Sequence, residues 1–292
     1  MVLFSIVIPC FNEGTRLTRV LSSITQQAGN DYEIILVNDG STDNTAEVAE
    51  TWRQQFPYIQ CIAQSNQGPA SARNHGIRYA QGQYILLLDA DDELTFDSLS
   101  VWRNAIAAHN NSSVIISQHY TLQSNQTRKL SAAPKISLHC ADNFKAFLRK
   151  KLTIAHGAIL LKRNIFDTLS YPAELIGRED TVFFGQVLAR YTCTTLTKPT
   201  VIIHRRQDSL RHHTDNLSFA AADLLFNAEI LPANCMAFEK NYRASLALSN
   251  FRLLFNQKNY AQARRWYYHA LQLAPHKLFA WSYFKKYIRS LI

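Results

Sequence analysis

Short apolar runs alternate with segments of helical period through the first third of the chain. Residues 3–9 are too few and too β-branched for a helix and read as a strand. Leu17, Val20, Leu21 and Ile24 follow at i, i+3, i+4 and i+7, the spacing of one buried helical stripe. The unit then recurs. Strands are expected at 33–37, 58–63, 84–88 and 114–117, and helices from a Thr42 or Asp43 cap through Trp52, at 69–80 and at 96–109. Parallel strands need crossovers, and helices then cover both faces, so this alternation predicts a parallel, doubly wound α/β sheet. Ligands in such sheets collect beyond the carboxyl ends of the strands. Those ends are residues 9–13, 38–41, 64–68 and 89–92, and each carries polar side chains.

The middle of the chain is less regular. A polar linker at 123–135 precedes a strand at 158–162, a helix at 180–189 and a strand at 200–204. From about Asn216 the pattern is helical, and residues 258–275 resemble the second half of a tetratricopeptide repeat. With one such unit in view, a helical hairpin is expected rather than a solenoid. Two domains follow, 1–215 and 216–292.

Composition narrows the class. Of 292 residues, 47% are hydrophobic and only 9 are Gly and 8 Pro, which excludes disordered and collagen-like chains. The 5 cysteines form no CxxC pair, so neither a disulfide framework nor a zinc site is expected, and a reducing cytosol is. The N-terminus lacks a basic region ahead of its apolar run, which argues against a signal peptide. No apolar stretch approaches the ~18 residues of a membrane span. The expected place is the cytoplasm, with attachment at the inner face of the plasma membrane as an option.

The net charge is +9, and its position matters more than its size. Beyond Glu239 there are ten Lys and Arg residues and no acid, so basicity belongs to the tail and the rest is near neutral. In residues 276–292, Trp281, Phe284, Ile288, Leu291 and Ile292 share one helical face, while Lys285, Lys286, Arg289 and Ser290 lie mostly on the other. Such a helix can dock its apolar face on the N-terminal domain, lie on an anionic membrane, or do both.

The densest chemistry is LLLDADD at 86–92, which leaves Asp89, Asp91 and Asp92 directly after a buried strand. Unpaired, they repel one another; Mg²⁺ or Mn²⁺ would relieve that, taking one or two carboxylates plus substrate phosphates. Asp92 or Thr95 could instead cap the helix beginning near Phe96. Read with SIVIPCFNE at 5–13, VNDGSTDNT at 37–45 and NQGPASARN at 66–74, this motif resembles the GT-A-fold glycosyltransferases of family 2, over roughly residues 2–215.

The resemblance implies a Rossmann-like, doubly wound mixed sheet with a C-terminal all-helical extension. It also implies inverting, metal-dependent transfer of a sugar from a nucleotide diphosphate, usually a UDP-sugar, using Mn²⁺ or Mg²⁺. The acceptor would be a saccharide or lipid-linked saccharide of a surface polysaccharide or lipopolysaccharide. By the family pattern Pro9, Phe11 and Glu13 border the nucleoside, and Asp39 accepts a hydrogen bond from uracil. Gly68 lets backbone approach the ligand, and Arg73 contacts diphosphate or base. Asp91 is the metal ligand, with Asp89 beside the metal, ribose or donor sugar. PAELIGREDTVFF at 172–184 resembles the family's Glu-Asp motif, with Asp180 as base and Glu179 as an acceptor or positioning contact. HRRQDSLRHH at 204–213 resembles the closing segment, with Arg206 and Ser209 on the diphosphate and His212 completing the metal shell. Read as residues alone, Asp39-Gly40-Ser41 also suits a tight turn and Asp180 a helix cap.

Two other classes share parts of this pattern. A nucleotidyltransferase has acidic strand ends too, but residues 10–16 contain one glycine and no lysine. A non-enzymatic nucleic-acid- or membrane-binding protein would use the basic tail, yet no nucleic-acid motif is present and no nucleic-acid partner is expected.

Overall fold

The computed structural model describes residues 1–109, 112–123, 126–204 and 216–291. The chain forms two compact units, Met1–Arg211 and His212–Ile292.

The first unit opens with β1 (Phe4–Cys10), α1 (Gly14–Thr25), β2 (Tyr32–Asp39), α2 (Thr45–Gln55), β3 (Ile59–Gln64), α3 (Pro69–Tyr79) and β4 (Tyr84–Leu87), matching the predicted alternation. After it come β5 (Glu93–Leu94), α4 (Ser98–Ala108), β6 (Val114–Leu122), β7 (Arg128–Leu130), α5 (Cys140–Leu148), β8 (Ile159–Lys162), α6 (Glu179–Arg190) and β9 (Cys193–His204). The described strands form one 9-stranded sheet of order β3-β2-β1-β4-β8-β6-β9-β5, with β7 paired to β6. Because the order reverses between β1 and β4, a crevice opens beyond their carboxyl ends, where residues 9–13 and 89–92 lie.

The sheet is mixed. From β3 to β4 every pairing is parallel, but β8 runs antiparallel to both β4 and β6. The cause is the point of entry. The Gly157 amide donates to the Leu87 carbonyl at 2.6 Å, so the chain joins at the carboxyl end of β4 and must run back. Hydrophobic period carries no strand direction, which is why alternation alone predicts a parallel sheet. Other boundaries move as well. Part of the expected linker at 123–135 is the β6–β7 hairpin, and β9 starts at Cys193 rather than 200, with Pro199 at an irregularity opposite Gln118. Asp92 and Thr95 make no side-chain cap for α4.

The predicted stripe of α1, Leu17, Val20, Leu21 and Ile24, is fully buried against Ile6, Ile8, Ile34 and Leu36. Each such side chain contributes about 1.5–3 kcal/mol. On the opposite face α3 lies close to the sheet because Gly76 has no side chain. A Cβ there would stand 2.5 Å from Val7 Cγ1 and 2.9 Å from Val37 Cγ2.

In the second unit α7 (Asn216–Leu225) and α8 (Ala233–Met236) precede α9 (Glu239–Asn256) and α10 (Tyr260–Leu273), followed by α11 (Trp281–Arg289). Helices α9 and α10 form a hairpin in which Phe251 and Tyr267 pack against Ala247, Ala263 and Ala270. No helix of the described residues is long and apolar enough to cross a membrane.

Overpacking at a tight helix–sheet contact costs about 1–3 kcal/mol. Gly76→Ala is therefore expected to lower the unfolding free energy from urea titration by that amount despite alanine's better helix propensity; an unchanged midpoint would show that α3 can lift off the sheet freely.

Candidate active site

The loops after β1 and β2 are tied together by side chains. Asn12, at φ 56°, accepts from the Thr42 amide at 2.8 Å, and its own amide donates to Ser41 Oγ at 3.0 Å. Asp43 accepts from the Gly14 amide at 3.1 Å and the Thr45 amide at 3.0 Å, while Thr45 Oγ1 accepts from the Glu13 amide at 2.8 Å. Short polar side chains hold these turns where regular pairing stops. The Glu13 carboxylate pairs with Arg16 at 3.0 Å, Pro9 faces Val37 in the sheet, and Phe11 stands half exposed.

Asp39 closes β2 and fastens the next loop. Its Oδ1 accepts from Gln64 Nε2 and the Gln67 amide, each at 2.8 Å, and its Oδ2 accepts from the Gly68 amide at 2.8 Å. An ionised carboxylate offers about four acceptor directions, so three are committed to the fold. Gln64 Oε1 lies 2.7 Å from His75 Nδ1, and since the Gln64 amide nitrogen donates to Asp39, the imidazole must donate here. Gly68 sits at φ 86° before α3, with no atom within 4 Å of where a side chain would start. The backbone is therefore open to approach at this point.

Arg73 ties β4, α3 and α6 together. Buried to 5% exposure, its guanidinium reaches Asp89 Oδ1 at 2.9 Å, Glu179 Oε1 at 3.2 Å and Asp180 Oδ1 at 3.5 Å, and lies 5.4 Å from the centre of the Tyr171 ring. The Asn74 side chain fixes Tyr171, its Nδ2 donating to the Tyr171 carbonyl at 2.7 Å and its Oδ1 accepting from the Tyr171 amide at 2.9 Å. His156 completes the group. Its Nδ1 is 3.4 Å from Asp89 Oδ2, and its Nε2 is 3.0 Å from the Tyr171 hydroxyl and 3.5 Å from Asp180 Oδ1.

Glu179 and Asp180 occupy the first turn of α6, and the cap position is Arg178, at φ 67°. Asp180 is thus not the cap, and its Oδ1 has no hydrogen-bond partner among the described residues. Burial and the neighbouring Asp180 push the Glu179 carboxyl up. Burial acts the same way on Asp89, but His156 and Arg73 outweigh it and hold that carboxyl well below the usual range.

Ligand oxygens of Asp89, Asp91 and Asp92 all lie within 4.8 Å of one another. Asp92 Oδ1 accepts from the His204 amide at 2.9 Å, and His204 Nε2 meets Glu93 Oε1 at 2.6 Å. Burial, then Asp89 and Asp91, push the Asp92 carboxyl up to about 9. This crowding of negative charge in oxygen-only ligands suits a hard divalent cation such as Mg²⁺ or Mn²⁺.

The structure thus gathers Arg73, Asp89, Glu179 and Asp180 into one cluster, with Asp91 adjoining it. Asp39 and Gly68 share a second locus with Gln64. Arg206, Ser209 and His212 lie outside the described residues. Sequence reasoning missed His156 and Tyr171; the visible signal was His156-Gly157 leading into the buried strand β8, in a region of weak periodicity.

Residues 5–170 match the sequence profile of glycosyl transferase family 2. An uncharacterized glycosyltransferase of Escherichia coli, YibD, is 40% identical over 90 residues, 31% of this chain and 26% of that protein. The cholesterol galactosyltransferase of Borreliella burgdorferi is 34% identical over 147 residues, 49% of this chain and 41% of that one. These aligned stretches span less than half of either relative. The crystal structure of Staphylococcus aureus TarS 1-349 in complex with UDP-GlcNAc superposes with TM-score 0.71 at 19% identity, covering 99% of this chain and 89% of that one. The fold of the two is the same, GT-A with helices following it.

Removing one partner of a buried ion pair costs about 3–5 kcal/mol, since the other charges stay buried. Arg73→Ala is expected to destabilise the protein by that much in urea titrations; a loss below 1 kcal/mol would mean that Asp89 and Glu179 do not depend on it. Asp92 gives a pH test. A carboxyl whose pKa rises from about 3.9 unfolded to about 9 folded binds its proton more tightly in the native state. Its contribution is therefore full at low pH and is lost as pH rises through that window. In chelator-treated protein, Asp92→Asn should gain on the parent between pH 4 and 9, and parallel stability profiles would refute this.

Proposed function

Since the chain belongs to glycosyl transferase family 2, we propose that it transfers a sugar from a UDP-linked donor to a hydroxyl of a saccharide or lipid-linked saccharide acceptor. The product is a surface polysaccharide or lipopolysaccharide, and the anomeric carbon is inverted. The observation that carries this reading is the placing of Asp180: its side chain is 46% exposed, its Oδ1 is held 3.5 Å from both Arg73 and His156, and across those two groups lies Asp89 of the acidic cluster.

Inverting transfer needs a base on the acceptor side, because the hydroxyl loses its proton as it attacks from the face opposite the leaving diphosphate. Asp180 takes that proton. At 46% side-chain exposure it is reachable, while Arg73 and His156 restrain its carboxylate from behind. Glu179, buried and paired to Arg73, positions the base by fixing the start of α6. Asp39 receives uracil on the acceptor direction left by its loop bonds, and Gly68 admits the nucleotide to the backbone at the α3 N-terminus, where helix amides favour phosphate.

Asp91, with Asp89 and Asp92 beside it, would hold Mn²⁺ or Mg²⁺, which offsets negative charge on the departing diphosphate. Support for a UDP-sugar comes from the structural neighbour crystallised with UDP-GlcNAc. Support for a hydroxyl acceptor comes from relatives named for poly(ribitol-phosphate) and for cholesterol.

A panel of UDP-sugars with Mn²⁺ should release UDP. Asp180→Asn is expected to lower that rate by about 10²–10⁴-fold while UDP affinity stays within a few-fold. Asp91→Asn should abolish the Mn²⁺-dependent part of UDP binding. Absence of calorimetric heat with every nucleoside diphosphate, with or without Mn²⁺, would overturn the proposal, as would an unchanged rate in Asp180→Asn.

A further inference from the structure

Helix α11 docks its tyrosine side and leaves Trp281 and Ile288 of its apolar stripe outward. Its inner side is aromatic and polar: Tyr287 stacks on Tyr267 at 4.5 Å, its hydroxyl meets that of Tyr268, and Tyr283 packs 6.2 Å from Phe251. Arg264 donates to the Ser290 carbonyl just past the helix end. These contacts fix the rotation of the helix. Trp281 and Ile288, two turns apart and hence on the same side, are left outward at 62% and 42% exposure, with Leu291 at 56% one turn further on.

The same outward strip carries cations. Lys285 and Arg289 are exposed between and beyond the apolar pair, and Lys285 Nζ lies 5.2 Å over the Trp281 ring. From Lys240 onward there are ten basic and no acidic residues, so nothing in this stretch of sequence neutralises them. A tryptophan and aliphatic side chains at one level with lysine and arginine make the pattern of a helix lying in the headgroup region of a bilayer. A nucleic acid would use the cations but gain nothing from Ile288 and Leu291. A second copy of this chain would bring like charge to like charge.

We propose that the outward face of α11 is a docking surface for an anionic bilayer, with Trp281, Ile288 and Leu291 entering the headgroup boundary and Lys285 and Arg289 meeting lipid phosphates. The inference is independent of the proposed sugar transfer, since it needs no donor. Each basic residue near such a surface multiplies affinity roughly fivefold.

The test uses the full chain and vesicles of phosphatidylcholine alone or with 30% phosphatidylglycerol. Cosedimentation is expected with the mixed vesicles, at least tenfold weaker with phosphatidylcholine alone, and falling with salt. Lys285→Gln with Arg289→Gln should weaken binding about 25-fold, and Trp281→Ala with Ile288→Ala at least tenfold, with urea midpoints unchanged at these exposed sites. A blue shift of tryptophan fluorescence on vesicle addition should vanish in Trp281→Ala. Equal binding to both vesicle types, or variants that bind like the parent, would overturn the proposal. So would a dimer in light scattering that the variants abolish, or retention by single-stranded DNA without vesicle binding.

Discussion

A buried guanidinium among carboxylates holds the reactive end of this protein together. Arg73 is nearly out of water, a state a cation tolerates only when opposite charges reach it. The strand end supplies Asp89, and the first turn of α6 supplies Glu179 and Asp180. The buried Glu179 carboxylate would be unfavourable there without the arginine, and the arginine without its carboxylates. The mutual dependence fixes α3, β4 and α6 relative to one another. His156 bridges the Asp89 and Asp180 sides again from the entry to β8, so the geometry is set twice.

The loop network around Asp39 works by the same logic at lower charge. Turns at strand ends have backbone groups with no ladder partner, and here Asn12, Asn38, Asp39 and Asp43 meet those needs with side chains. Carboxylates and amides that look reserved for a ligand in the sequence are largely engaged in shaping the walls of the crevice. A polar residue at a strand end can serve both purposes when it has more acceptor directions than the turn consumes.

The early βα units were legible because β1, β2 and β4 are buried on both faces and α1 shows one apolar stripe. The four motif segments fall where the strands end, and the structure gathers Arg73, Asp89 and the Glu179-Asp180 pair as their chemistry suggests. The antiparallel β8 was not legible, since apolar period is blind to direction. His156 and Tyr171 escaped notice because their partners are set by that reversal and by contacts with α3 and α6, none of them local in sequence. For α11 periodicity located the apolar residues and left open whether that face docks or meets a membrane; in the structure the tyrosines pack on Phe251 and Tyr267 and take the inner side.

Arg73 and Glu179 are 106 positions apart, and this separation governs when the site can exist. At roughly 5–20 residues per second of synthesis, the ribosome delivers the second half of the pair some 5–20 s after the first. During that interval the arginine has only its nearer carboxylate for company and stays hydrated. The charge cluster can close only once α6 has been made.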